Sequence, residues 1–225
     1  MKKSYFTVKA EVTDLRSKPS WDPYLTNGHD RHRESQVLHG TCLHAIGEQN
    51  GWVEVEVPSQ EVGHAKGDIR PYRGWVFGDL LSESSRCSCV EAVCVGDLIE
   101  RAKSYLDYPY LWGGIGGCEG IDCSALVYQA YLAKGIVVPR NSSDQFVVGR
   151  QVSPGCMVPG DLVFVGTPIW HVLIWDGKVL IEATDLGEGV VRLISFEERF
   201  GMPIEEACEG EFFFRRLLPP AARPA

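Results

Sequence analysis

The chain has 225 residues, with 22 Lys and Arg against 30 Asp and Glu, for a formal net charge of −8. Hydrophobic residues make up 44% and charged residues 23%, a globular composition that excludes disorder, collagen and coiled coil as descriptions of the whole. No stretch approaches the roughly 18 apolar residues of a membrane-spanning helix, so no membrane insertion is expected. An acidic balance without a basic cluster argues against nucleic acid as a partner.

Residues 1–82 read as short strands joined by turns. The segments 6–12, 36–39, 41–46, 51–57 and 74–77 carry the pattern, with clean period-two alternation at 51–57. Several short strands of this kind indicate a small barrel or sandwich. Residues 13–34, with Pro19, Pro23 and Asn27-Gly28, read as a long loop, and the polar run 82–85 reads as a linker.

Beyond the linker the period changes. Apolar residues at 98, 99, 102, 105 and 106 predict a helix with Asp97 as its N-cap. The glycine-rich stretch 110–117 lacks the Lys-Ser/Thr of a phosphate-binding loop. A second helix is predicted over 122–135, capped by Asp122 and stopped by Gly135, with positions 123, 126, 127, 130 and 131 on one apolar face. Strands are expected at 162–165, 170–175 and 178–183, and a frayed tail at 219–225.

The eight cysteines are expected to be mostly reduced and buried, because disulfide frameworks belong to small secreted domains. Lys2 and Lys3 precede no apolar run, so no secretory leader is expected and the reading is cytoplasmic. Cys87, Cys89 and Cys94 lack zinc spacing, and neither metal nor cofactor is expected. Cys123 stands apart. It falls on the first turn of its helix, where free N–H groups and the helix dipole favour a thiolate, the reactive form. The alternative is a small apolar residue on the core face.

A thiol nucleophile needs a base, and the base needs an orienting group. His171 opens the strand 170–175. If Asp176-Gly177 is a two-residue hairpin, Trp175 faces Lys178 and His171 faces Glu182. Directly opposed residues share a face, so a carboxylate would sit beside the imidazole. An ordinary cross-strand ion pair is the competing reading. Asp185 is the fallback if the register slips, and the other five histidines read as solvated or structural.

Five motifs occur in order: Tyr110-Leu-Trp-Gly-Gly, Asp122-Cys-Ser-Ala-Leu, Pro139-Arg-Asn-Ser142 with Gln145, Gly160-Asp-Leu-Val-Phe164, and His171-Val with Ile181-Glu-Ala183. Together they resemble the NlpC-type cell-wall cysteine peptidases. Leu15-Arg-Ser-Lys-Pro19, Trp52-Val and Gly74-Trp-Val resemble a bacterial SH3-like domain. The resemblance implies an α+β protein in which an SH3-like β-barrel (1–82) precedes a papain-like peptidase domain (83–218) and a disordered tail (219–225).

It implies that Cys123 is the nucleophile, His171 the general base and Glu182 the third member, a position that usually carries His or another polar residue. Tyr110, beside the nucleophile, would bind substrate or steady the oxyanion. Asp122 and Ser124 flank the thiol and join the substrate-binding set with Glu34, Tyr72, Asn141 and Ser142. The implied reaction is cleavage between γ-D-Glu and a diamino acid of peptidoglycan peptides such as L-Ala-γ-D-Glu-diaminopimelate, in recycling or remodelling. Some relatives require a free N-terminal amine, and Asn141 stands where they resemble one another in carrying Asp. The alternatives are a same-fold amidase or acyl transferase, or a protein that binds such fragments without turnover.

Overall fold

The computed structural model describes residues 4–85, 96–207 and 210–217. Cys87, Cys89, Cys94 and the tail 219–225 lie outside the described residues. The alternating segment at 51–57 becomes part of β5 in a seven-stranded antiparallel sheet. Its strands are β1 (Ser4–Val8), β2 (Val12–Arg16), β3 (Arg33–Leu38), β4 (Cys42–Gln49), β5 (Trp52–Val62), β6 (Arg70–Phe77) and β7 (Leu81–Ser84). The spatial order is β3-β2-β6-β5-β4-β1-β7. The ladder leaves β3 and β7 as edges, so an expected barrel is an open sheet in its hydrogen bonding. Val8, Leu15, Val37, Leu43, Val55, Val57 and Val76 fill its core.

The polar run expected as a linker is strand. Tyr5 pairs with Ser84 and Val8 with Leu81, so the first sheet extends past residue 82. The expected loop at 13–34 is also partly ordered. It contains most of β2 and a small hairpin in which Thr26 pairs with His29. Asn27 (φ 52°) and Gly28 (φ 78°) both take the left-handed region, as a type I′ turn requires.

The second half is built on α1 (Leu98–Lys103), α2 (Cys123–Ala133), α3 (Ser142–Val148), β8 (Arg150–Gln151), β9 (Leu162–Val165), β10 (His171–Trp175), β11 (Leu180–Ala183), β12 (Val191–Ile194), α4 (Phe196–Phe200) and β13 (Phe212–Arg216). The strands form one antiparallel sheet in the order β8-β13-β9-β10-β11-β12. Asp97 caps α1 by accepting from the N–H of Ile99 and Glu100. Asp122 caps α2 by accepting from the N–H of Ala125, and Gly135 follows with φ 76°.

Instead of one apolar face, α2 is buried nearly all round, every residue but Leu132 being buried. A helix apolar on all sides belongs in an interior. One side packs on the sheet through Leu162, Phe164, Val172, Ile174 and Ile181. From the other, Tyr128 donates its hydroxyl proton to the carbonyl of Ser59 in the first sheet. Burying a side chain such as Leu126 stabilises the fold by about 1.5–3 kcal/mol. The residues of opposite parity, Val163, Val165 and Leu173, pack with Phe196, Phe212 and Phe214 beneath the sheet.

The two halves interlock. Asp144 on α3 accepts hydrogen bonds from the backbone N–H of Gly63 and Ala65, both at 2.8 Å. Gly113 adopts φ 74°, and a Cβ there would lie 2.9 Å from Arg33 Cγ, so the Trp-Gly-Gly stretch admits the first half at close range. Among the described cysteines three are free thiols as expected, with Cys123 buried, but Cys118 and Cys156 are exposed and Cys42 is disulfide-bonded. No helix among the described residues is long and apolar enough to cross a membrane.

Candidate active site

Cys123 sits at the first position of α2 because Asp122 ends the preceding short strand and caps the helix. It is 8% exposed. His171 opens β10, close enough to the thiol for Cys123 to act on its protonation. The imidazole Nε2 lies 2.9 Å from Glu182 Oε1, and Glu182 is fully buried. The exposed Trp170 ring stacks on His171 at 5.4 Å.

The sequence reading brings His171 and Glu182 together, but through the wrong loop. The observed pairs are Trp175 with Leu180 and Ile174 with Ile181. The connection is therefore four residues, 176–179, closed by Asp176 N–H on the Val179 carbonyl. Gly177 alone takes positive φ, at 104°, so the two left-handed residues of a type I′ turn are not there. The Asp176 carboxylate instead accepts from the N–H of Lys178 and Val179. A two-residue shift keeps every side chain on its face, and Glu182 becomes the diagonal neighbour of His171 rather than its direct partner. Asp185, the fallback, lies elsewhere: its Oδ2 is 2.9 Å from His29 Nε2.

Two arginines that the sequence reading did not single out complete the group. Arg192, directly across β12 from Glu182, donates to Oε2 at 2.9 and 3.1 Å. Arg199 on α4 donates to Oε1 at 2.7 Å. Burial alone would raise the Glu182 pKa, but hydrogen bonds from His171 and Arg199, the charge of His171 and the bond from Arg192 outweigh it and hold it at about 2. Burial would lower the His171 pKa. The charge and hydrogen bond of Cys123, followed by those of Glu182, reverse that and raise it to about 9. A charged imidazole is thus held between a sulfur and a carboxylate.

A cavity of about 300 Å³ opens onto Cys123, lined among others by Tyr110, Trp112, Asn141, Ser142, Glu34 and Tyr72. All seven residues expected to bind substrate border it. Their polar groups differ in availability. Asp122 and Ser124 are engaged by Arg140, which is 1% exposed and gives two bonds to the Asp122 carboxylate, at 2.8 and 3.0 Å, and one to Ser124 Oγ. Arg140 also reaches Ser35 Oγ and the carbonyls of Gly113 and Gly114. Asp122 and Ser124 therefore brace the start of α2 rather than face the cavity with free groups. Tyr72 donates its hydroxyl proton to Glu34 at 3.2 Å. Burial, then the Glu34 charge, pushes its pKa up, so it stays protonated. Burial, then the Cys123 charge, does the same to Tyr110, leaving its O–H as a donor near the thiol.

The first half contributes more than expected. His29, read as solvated or structural, stacks with Trp112 at 5.8 Å and meets Tyr110 edge-on at 5.8 Å. Arg31 lies over Trp112 at 3.8 Å. The Asn27-Gly28 dipeptide was the available signal, since a tight turn there throws the residues after it toward the thiol. Among the described residues no group of three His, Cys, Asp or Glu could hold a metal ion.

Residues 107–214, which contain the thiol, imidazole and carboxylate, match the model of the NlpC/P60 family. This part of the chain belongs to the NlpC/P60 family. A γ-D-glutamyl-L-lysine dipeptidyl-peptidase of Bacillus subtilis is 31% identical over 150 residues, covering 66% of this chain and 43% of that protein. The peptidoglycan endopeptidase RipB of Mycobacterium tuberculosis is 39% identical over 82 residues, covering 31% of this chain and 34% of that protein. The chain thus spans less than half the length of either relative. A crystal structure of an NlpC/P60 family protein from Bacillus cereus superposes with a TM-score of 0.75 at 19% identity, covering 96% of this chain and all of that one. At that identity the likeness establishes the fold, and it extends across both halves.

Proposed function

We propose that this protein is a cysteine peptidase that hydrolyses the amide between γ-D-glutamate and diaminopimelate in peptidoglycan-derived peptides. The observation that carries the reading is a charged His171 held by Glu182 at 2.9 Å and acting on Cys123, which lines a cavity of about 300 Å³. The similarity to peptidases of γ-D-glutamyl-L-lysine and of peptidoglycan supports the substrate class.

The chemistry follows from the geometry. The Cys123 sulfur attacks the carbonyl carbon of the γ-amide, and the carbonyl oxygen takes up negative charge. The Cys123 backbone N–H, one of the unpartnered donors at the start of α2, and the Tyr110 hydroxyl stabilise that charge. The His171 imidazolium gives its proton to the departing amine, which leaves a thioester on Cys123. Water then loses a proton to the neutral imidazole, adds to the thioester and releases a carboxylate and the sulfur. Glu182 stabilises the charged imidazole throughout, and the two arginines keep Glu182 ionised. The first half supplies Glu34 and Tyr72 for the amine end of the peptide.

Mass analysis of L-Ala-γ-D-Glu-diaminopimelate after incubation tests the bond. The reading expects L-Ala-D-Glu and free diaminopimelate. Products from an acyl transfer or from another bond, or no products, would refute it.

A further inference from the structure

The cavity around Cys123 has an uneven set of charges. Asp122 is neutralised by Arg140 at 2.8 Å, and Arg33 by Asp14 at 2.8 Å. Two charged groups on the lining are left over. One is Glu34, whose side chain accepts from the Tyr72 hydroxyl. The other is Arg31. No carboxylate among the described residues is within ion-pair distance of its guanidinium, whose contact is the Trp112 ring at 3.8 Å.

That contact leaves the useful part of Arg31 free. A guanidinium on an aromatic ring uses its flat face, and its N–H groups point outward from the edge. The edge is a fork that fits a carboxylate with two parallel hydrogen bonds. Trp112 is itself fixed by the stacked His29 ring, and His29 is tied to Asp185 at 2.9 Å. The cation is therefore presented by a rigid support instead of a mobile side chain, which reduces the ordering cost of binding.

We propose that Arg31 is a specificity-determining residue that receives a free carboxylate of the substrate beside the scissile amide, across the cavity from the amine end already assigned to Glu34 and Tyr72. The substrate class is a short dipolar peptide. This rests on the γ-glutamyl reading: when glutamate is linked through its side chain, its α-carboxyl is left out of the chain and stands one residue's width from the reacting carbonyl. A substrate with that α-carboxyl converted to a carboxamide keeps its shape and loses the charge.

Calorimetric binding to the Cys123→Ala protein tests the assignment without needing turnover. The two ligands are L-Ala-γ-D-Glu-diaminopimelate and its α-carboxamide counterpart. The carboxylate form is expected to bind about 10- to 100-fold more tightly, the scale of a charge-assisted hydrogen bond pair. In Cys123→Ala/Arg31→Gln the two ligands should bind within about threefold of each other, with the loss confined to the carboxylate form. Arg31→Lys should restore part of the preference. Equal affinity for both ligands, equal weakening of both by Arg31→Gln, or binding of neither would overturn the proposal. Discrimination without turnover by the wild type would sink the peptidase reading and keep this one; turnover without discrimination would do the reverse.

Discussion

His171 Nε2 meets Glu182 Oε1 at 2.9 Å although the two residues are diagonal, not opposite, across the β10–β11 pair. The contact survives because the four-residue loop shifts the register by two residues, which leaves every side chain on its face. Glu182 has no exposed surface and binds three cationic groups, so its charge is a fixed part of the site.

Glu182→Gln keeps the volume and removes that charge. Steady-state kinetics should show kcat reduced by about 10²–10⁴-fold, the usual scale for disabling an acid–base group. The His171 pKa should fall with it, since Glu182 is one of the groups that raise it. Unchanged kcat would show that the orienting role lies elsewhere.

The pH profile follows from the same pair. The groups around the imidazole are Cys123 and Glu182, with Arg192 and Arg199 behind the carboxylate and Tyr110 beside the thiol. His171 is raised from 6.5 to about 9, so the imidazolium form persists through neutrality and activity should fall as pH rises through about 9. The same sign governs stability. The His171 contribution is fully present below about 6.5 and is lost as pH rises toward 9, whereas the Glu182 contribution is present above about 4.5 and is lost as pH falls toward 2. Rate and thermal-melting profiles check both limbs, and an alkaline limb near 6.5 would contradict the ion pair.

Arg140 joins three distant stretches of the chain behind the nucleophile. Arg140→Met leaves the Asp122 carboxylate buried without its partner, at a cost of about 3–5 kcal/mol. Arg140→Lys should recover little, because a single ammonium cannot reproduce a fork that bonds Asp122, Ser124, Ser35 and two carbonyls. Urea unfolding of both variants measures the difference.

Asp144 ties α3 to the first half through two backbone N–H groups. Asp144→Ala leaves Gly63 and Ala65 unpaired and should cost about 1–3 kcal/mol. Amide exchange at residues 63 and 65 should accelerate more than exchange in α2. A uniform change across the chain would place the effect elsewhere.

The chemistry was more legible than the frame around it. Asp122, Cys123 and Gly135 announce a capped helix with a thiol at its start, and the alternation through His171 and Glu182 puts both on one face for a two-residue or a four-residue loop alike. The length of that loop was not legible, because Asp176-Gly177 has the composition of a tight turn without adopting its dihedrals. Asn27-Gly28 has both, but its flanking strands are two residues each, too short to show a period. Arg140 and Arg199 could not be found locally, since an arginine becomes buried only when distant acceptors converge on it. The disulfide at Cys42 likewise differs from an expectation drawn from chain size.

The central claim is that the Cys123 sulfur attacks the γ-glutamyl amide. Diaminopimelate released from L-Ala-γ-D-Glu-diaminopimelate, measured for the wild type, Cys123→Ala and Cys118→Ala, tests it most directly. The account predicts release by the wild type and by Cys118→Ala and none by Cys123→Ala. Release by Cys123→Ala at the wild-type rate, or no release by the wild type, would contradict it.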